Sequence, residues 1–323
     1  MLKGCPTPKL ALYGILTTPR EANIYRQHNL RAKYAQLSTK LPVEQQIDFL
    51  YVFGETQNIT ERARLNLELA LFPHTTVILN RVEAMNDGKT YDWFCYARSI
   101  MYSPHPTEPN TFCPRYVYIG KTDDDTIIHL PRFSKELLAL PTDKPSYIGR
   151  YMAGELMMGQ NYLLSASLVE YIATSEAVSK KIVGPEDVVL AEWIKTSGID
   201  VNIVNYKDRI HDIIGGPNWS SWVITNETLS IHFCKTTVLF WKCMDQLFSS
   251  DDVDLKEAIS KQSKSLGLYF TEKDMDALMV EFEKEGSEWK KEYREPSKLE
   301  DKYGVYNGMF DRWLLRVGTG LGR

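Results

Sequence analysis

Three consecutive aspartates, Asp123, Asp124 and Asp125, stand in the run "RYVYIGKTDDDTIIHL" between two apolar segments. Adjacent carboxylates repel one another, and a divalent cation relieves that repulsion better than other partners. Hard oxygen ligands beside open coordination positions suit Mg²⁺ or Mn²⁺ holding a diphosphate. The competing reading is a solvated turn that caps the next helix. Capping fully explains a second acidic run, "SSDDVDLKEA" at 249–258, which leads straight into a helix pattern. It explains 123–125 less well, because those acids follow a buried strand directly. Glu186 and Asp187 in "GPEDVVLAEWI" form another acidic pair, and acids in a first turn are also ordinary helix starters. His232 in "LSIHFCK" and His211 in "DRIHDII" are the rival imidazoles for a metal.

The elements that must carry these groups alternate along the first 250 residues. Apolar, strand-like runs occupy 9–16, 47–54, 75–82, 115–121 and 146–152, with two late ones at 201–206 and 229–234. Helix patterns occupy 17–36 (with a Thr cap candidate in Thr17-Thr18), 58–72, 89–102, 132–140, 165–178 and 185–198. Continuous apolar strands separated by helices predict an α/β fold with a mainly parallel sheet covered on both faces. Ligands of such sheets bind beyond the carboxyl ends of the strands. That rule places 17–20, the loop after Gly54 and the three aspartates on one rim. A charged, helical extension is expected over 251–323, beyond a main domain at 1–250.

With 323 residues, 43% hydrophobic and 25% charged, the chain can bury a sizeable core. A formal net charge of −4 offers no basic surplus for nucleic acid. No run of about 18 apolar residues appears, and Pro6 and Pro8 interrupt the start of the chain, which does not read as a signal peptide. Any membrane attachment would rest on an anchor outside this sequence. The five cysteines contain no Cys-x-x-Cys pair, which argues against a zinc cluster. One or two disulfides are open to them, with at least one thiol left over.

The ordered set of motifs resembles glycosyltransferase family 31, the β-1,3-galactosyltransferase and fringe-like enzymes, and within it the fungal-type members. "YVYIGKTDDDTII" is similar to its Asp-x-Asp segment, and "TTPREANIYRQHNLR" to its early motif with two arginines. "YMAGELMMGQNYLLSASLVEYI" resembles its Gly-rich, Tyr-x-x-Ser stretch, "GPEDVVLAEWI" its Glu-Asp-Val motif and "LSIHFCK" its late His segment. The resemblance covers about residues 9–245. It implies a GT-A nucleotide-sugar-binding fold and an inverting, Mn²⁺- or Mg²⁺-dependent hexosyltransferase that moves a sugar from a UDP-sugar to a glycan or glycoconjugate hydroxyl in the Golgi lumen, forming a β-1,3 linkage. Asp125 would ligate the metal, Asp123 would lie near it or the ribose, and His232 would be a further ligand. Asp187 would be the general base, with Glu186 shaping the site. Thr17, Arg26 and Arg31 would lie along the nucleotide, and Lys121 and Asp124 are counted on the same donor side.

Two departures leave the donor sugar open among galactose, glucose and the N-acetylhexosamines. Ala32-Lys33 follows Arg31 where the family carries Thr-Trp, and Gln160 and Asn161 stand where it carries glycines, so they would crowd or rebuild the sugar pocket. Two other classes compete. One is a transferase-like module that binds nucleotide or glycan without turnover. The other is an aspartate-dependent phosphohydrolase, whose Asp-x-Asp normally follows the first strand, whereas here it follows several.

Overall fold

A computed structural model describes residues 3–152, 156–207, 209–213 and 224–248. The aromatic cluster at 217–222 and the extension expected from 251 lie outside the described residues. The chain divides into two compact units, one ending at Ile210 and the other beginning at His211.

The first unit opens with β1 (Lys9–Leu16), α1 (Glu21–Ser38), β2 (Ile47–Glu55), α2 (Ile59–Leu71), β3 (Thr76–Val82) and α3 (Lys89–Ile100). A short hairpin follows, β4 (Tyr102–Pro104) with β5 (Phe112–Pro114). Then come β6 (Tyr116–Asp123), β7 (Ile127–Ile128), α4 (Leu130–Leu138), β8 (Ser146–Met152), β9 (Leu156–Ser165), α5 (Ala166–Thr174), α6 (Glu176–Ser179), α7 (Glu186–Thr196) and β10 (Asn202–Asn205). Seven strands form one sheet in the order β10-β8-β9-β6-β1-β2-β3. Four of its six pairings are parallel and two, those of β9 with β6 and with β8, are antiparallel. The mixed α/β sheet, mostly parallel, is therefore as expected.

The antiparallel β9 was not anticipated. Its sequence, LMMGQNYLLS, interrupts the apolar run with Gly, Gln and Asn, so no clean strand period shows. Neither Thr17 nor Thr18 is the N-cap of α1: that position is Arg20, with no side-chain hydrogen bond. The 165–178 helix is two helices, broken at Ser175, whose hydroxyl caps the second.

Helices cover both faces of the sheet. Trp93 and Phe94 of α3, Leu168 and Ile172 of α5, and Leu190 and Trp193 of α7 bury one face. On the other, Tyr34 of α1 stacks on Phe49 at 4.2 Å and Phe49 on Tyr13 at 5.5 Å, with Phe133 of α4 beside them. The close fit needs Gly120: a Cβ there would meet the Tyr13 ring at 2.4 Å. From β1 the chain winds outward through β2 to β3, and β6 then returns to the opposite side of β1. The switch in winding lies between β1 and β6, where Leu16 is in register with Asp123. Ligands of open α/β sheets sit at such a point.

Cys5 and Cys113 form a disulfide across 108 residues, which ties the amino segment to β5. Closing a loop of that size restricts the unfolded chain, and removing such a bond costs about 2–5 kcal/mol. Cys5→Ser is expected to lower the unfolding free energy by about that amount in urea titration; an unchanged midpoint would show that the bond holds nothing.

The second unit pairs β11 (Ile210–Asp212) with β12 (Ser230–His232) and ends its described part in α8 (Thr237–Phe248). A second disulfide, Cys234–Cys243, links the end of β12 to α8. Cys95 is the free thiol. Among the described residues no helix is long and apolar enough to cross a membrane.

Candidate functional site

The carboxyl ends of β1, β2, β3 and β6 deliver a set of charged side chains to one rim of the first unit. Asp124 points into the floor of that rim and is 7% exposed. The Thr17 hydroxyl donates to its Oδ2, and Arg26 Nη2 donates to its Oδ1 at 3.1 Å. Arg26 is itself buried and is also held by Asn23 Oδ1 at 2.7 Å. Burial pushes the Asp124 carboxyl up, while Arg26 pulls it back and Asp125 adds to the rise. Burial works against the Arg26 charge, but Asp124 and Asp125 outweigh it and hold the guanidinium above its ordinary value.

β6 ends at Asp123, and the chain turns at Asp124 and Asp125, where the Thr126 amide donates to the Asp123 carbonyl at 3.2 Å. The turn carries Asp124 to Thr17 and Arg26, and carboxylate oxygens of Asp123 and Asp125 lie within 4.8 Å of each other. Asp125 is 6% exposed and Asp123 is less enclosed.

Lys121 is buried beneath them. Its Nζ lies 2.7 Å from Asp123 Oδ1, donates to Glu186 Oε1 at 2.7 Å and donates to the Gly159 carbonyl at 2.5 Å. Burial disfavours its charge, yet Asp123 and Glu186 more than compensate, and the ammonium is held above its ordinary value. Tyr162 donates its hydroxyl to Glu186 Oε2 at 2.9 Å. Burial pushes the Glu186 carboxyl up against the opposing pull of Lys121. Glu186 is thus fully engaged at the start of α7. Its neighbour Asp187 is half-buried and accepts from the Val188 amide at 2.9 Å.

A third pair was not foreseen. Lys89, 1% exposed, donates to Glu83 Oε1 and to the Thr17 carbonyl, each at 2.6 Å, and the Gly54 amide donates to Glu83 Oε2 at 2.6 Å. Burial pulls the Lys89 ammonium down, against Glu83. The pair ties together the ends of β1, β2 and β3. Both residues flank the turn after the strand expected over 75–82, whose end the sequence did not place on this rim.

Thr17, Arg26 and Asp124 thus form one bonded set and Lys121, Asp123 and Glu186 another, with Asp125 near Asp123 and Asp187 next to Glu186 in sequence. Arg31 makes its contacts elsewhere. Its guanidinium lies between the rings of Tyr51 and Phe72, at 4.1 and 3.9 Å, and pairs with Glu68 at 3.1 Å. Asn161 does not crowd the rim but accepts from Tyr13 Oη at 2.8 Å inside the sheet. Gln160 is buried, and neither of its amide atoms has a hydrogen-bond partner among the described residues. In the second unit His232 Nδ1 lies 2.5 Å from Asp212 Oδ1. His211 is fully buried, with Nδ1 on the Asp212 carbonyl at 3.0 Å and Nε2 on Thr228 Oγ1 at 3.2 Å.

Gly159 is required where it stands. A Cβ there would come within 2.2 Å of Glu186 Oε1, an atom fixed by Lys121. Gly159→Ala is expected to cost about 1–3 kcal/mol, as overpacking of a fixed site does. Chemical denaturation checks this; wild-type stability would mean that Glu186 can move aside freely.

The named cations of the rim, Arg26, Lys89 and Lys121, face five carboxylates, Glu83, Asp123, Asp124, Asp125 and Glu186. The surplus of negative charge falls on hard oxygen donors, the donor set that Mg²⁺ and Mn²⁺ prefer. The residues present thus fit a divalent cation.

No protein-family model and no curated protein matches the sequence. Remote likenesses occur among solved structures. The galactosyltransferase LgtC in complex with donor and acceptor sugar analogues is 11% identical, with a TM-score of 0.39 over 81% of this chain and 96% of its own. The mannosyltransferase PcManGT from Pyrobaculum calidifontis in complex with GDP-Man and Mn²⁺ is 9% identical, with a TM-score of 0.39 over 88% and 84%. The inositol-1-phosphate CTP transferase from T. maritima is 10% identical, with a TM-score of 0.38 over 82% and 100%.

Proposed function

We propose that the chain is a metal-dependent hexosyltransferase that uses a UDP-sugar donor and a sugar hydroxyl as acceptor, with inversion at the transferred carbon and a β-1,3 linkage formed. The observation that carries this reading is the pairing of Asp123 and Asp125 within 4.8 Å at the β1/β6 switch point, while Asp124 is turned inward. Asp123 and Asp125 are the residues that hold the cation. The family resemblance adds His232 as a further ligand. A carboxylate on Nδ1, here Asp212, is the usual means of orienting an imidazole that ligates through Nε2. When bound, Mn²⁺ or Mg²⁺ neutralises charge on the diphosphate leaving group.

The remaining work belongs to side chains. Thr17 and Arg26 fix Asp124 and so set the backbone from which Asp123 and Asp125 project. Inversion requires attack from the face opposite the nucleotide, so the base must be a carboxylate distant in sequence from the cation ligands. Asp187 takes that role because Glu186 is already committed to Lys121 and Tyr162. Two disulfides support a lumenal site of action, since such bonds persist in oxidising compartments.

Thermal unfolding with UDP tests the reading. UDP with Mn²⁺ at about 100 times its dissociation constant should stabilise the fold by about 2.7 kcal/mol, and EDTA should remove the effect. UDP that stabilises equally in EDTA, or not at all, would overturn the cation assignment.

A further inference from the structure

The resemblance counts Lys121 among the donor-side residues, yet its surroundings point to different work. An ammonium carries three protons. Glu186 Oε1 and the Gly159 carbonyl accept from it at 2.7 and 2.5 Å, and its charge is paired with Asp123 Oδ1 at 2.7 Å. The side chain is 1% exposed and stands 5.9 Å from the centre of the Tyr162 ring. Its charge is engaged by protein groups, and its side chain is closed off from solvent. What it touches are two acids of different halves of the site, one at the end of β6 and one at the start of α7.

We propose that Lys121 is a positioning residue that couples cation binding at Asp123 to the helix bearing Asp187, by dividing one positive charge between Asp123 and Glu186. The proposal rests on the transferase reading above. It has a consequence that plain packing does not. The Lys121 charge opposes a cation at Asp123, and Glu186 draws part of that opposition away. Removing Lys121 should therefore tighten cation binding even while it frees α7, and removing the Glu186 charge should weaken it.

Mn²⁺ binding to the full chain, without donor, is measured by electron paramagnetic resonance for wild type, Lys121→Met, Glu186→Gln and the double variant. Lys121→Met is expected to bind Mn²⁺ at least about tenfold more tightly, and Glu186→Gln at least about tenfold more weakly. The double variant, with its local charge restored, should return to within about threefold of wild type. In turnover, Lys121→Met should lower kcat while leaving the donor KM unchanged or lower, the split expected of a lost alignment. Opposite shifts of the two single variants support the proposal; shifts in one direction, or none, overturn it. Should Lys121→Met fail to fold, Glu186→Gln decides: weaker binding supports the coupling, and equal or tighter binding overturns it. A wild type that binds no Mn²⁺ overturns the transferase reading itself, whereas wild-type binding with variants that move together overturns this proposal alone.

Discussion

Asp187→Asn should reduce transfer by about 10²- to 10⁴-fold, the usual contribution of a positioned general base, and leave Mn²⁺-dependent UDP binding intact. The prediction follows from how the two acids at the start of α7 are used. The Glu186 side chain is 10% exposed and bonded to both Lys121 and Tyr162, so its oxygens are committed to holding the helix to β6 and β9. Asp187 is half-buried and accepts a hydrogen bond from the amide of the next residue. Asn keeps that acceptor and the size of the side chain but cannot take a proton. Single-turnover assays with donor and acceptor separate the loss of chemistry from a loss of binding. Wild-type turnover in the variant would remove Asp187 as the base, and a parallel loss of UDP binding would make it a donor-site residue instead.

Asp124→Ala should destabilise the first unit by about 3–5 kcal/mol, the cost of stranding one partner of a buried ion pair. Arg26 is nearly inaccessible and would keep its charge beside an empty position, and the Thr17 hydroxyl would lose its acceptor. Asp123→Ala is different, because its side chain is about a quarter exposed. Its loss should be felt mainly in cation binding. On the proposed function, three neighbouring residues of one type would thus divide into a structural acid and two cation ligands. Urea denaturation of the two variants checks the contrast; equal stabilities would mean that Asp124 is not the buried anchor described here.

The same three residues show how far the sequence could be read. The strand before them and its neighbours β1, β2 and β3 are plain, because buried parallel strands leave continuous apolar runs. The rim follows from strand order alone. What could not be read is which charges are buried. Lys121 looks like any lysine before an acidic turn, and its partner Glu186 lies 65 residues away in sequence. Arg26 and Arg31 look like a pair for one ligand. Five residues of α-helix turn through about 500°, which leaves them about 140° apart around the axis. One therefore meets Asp124 while the other lies between Tyr51 and Phe72. β9 was hidden because its polar residues serve the interior, as Asn161 does for Tyr13.

The central claim is that Asp123 and Asp125 hold a cation for a nucleotide-sugar donor. It is tested most directly by measuring UDP release from a panel of UDP-sugars, with Mn²⁺ and with EDTA, for wild type and Asp125→Asn. The account predicts release from one UDP-sugar that requires Mn²⁺ and disappears in the variant. Release that persists in EDTA, or that Asp125→Asn leaves unchanged, would contradict it.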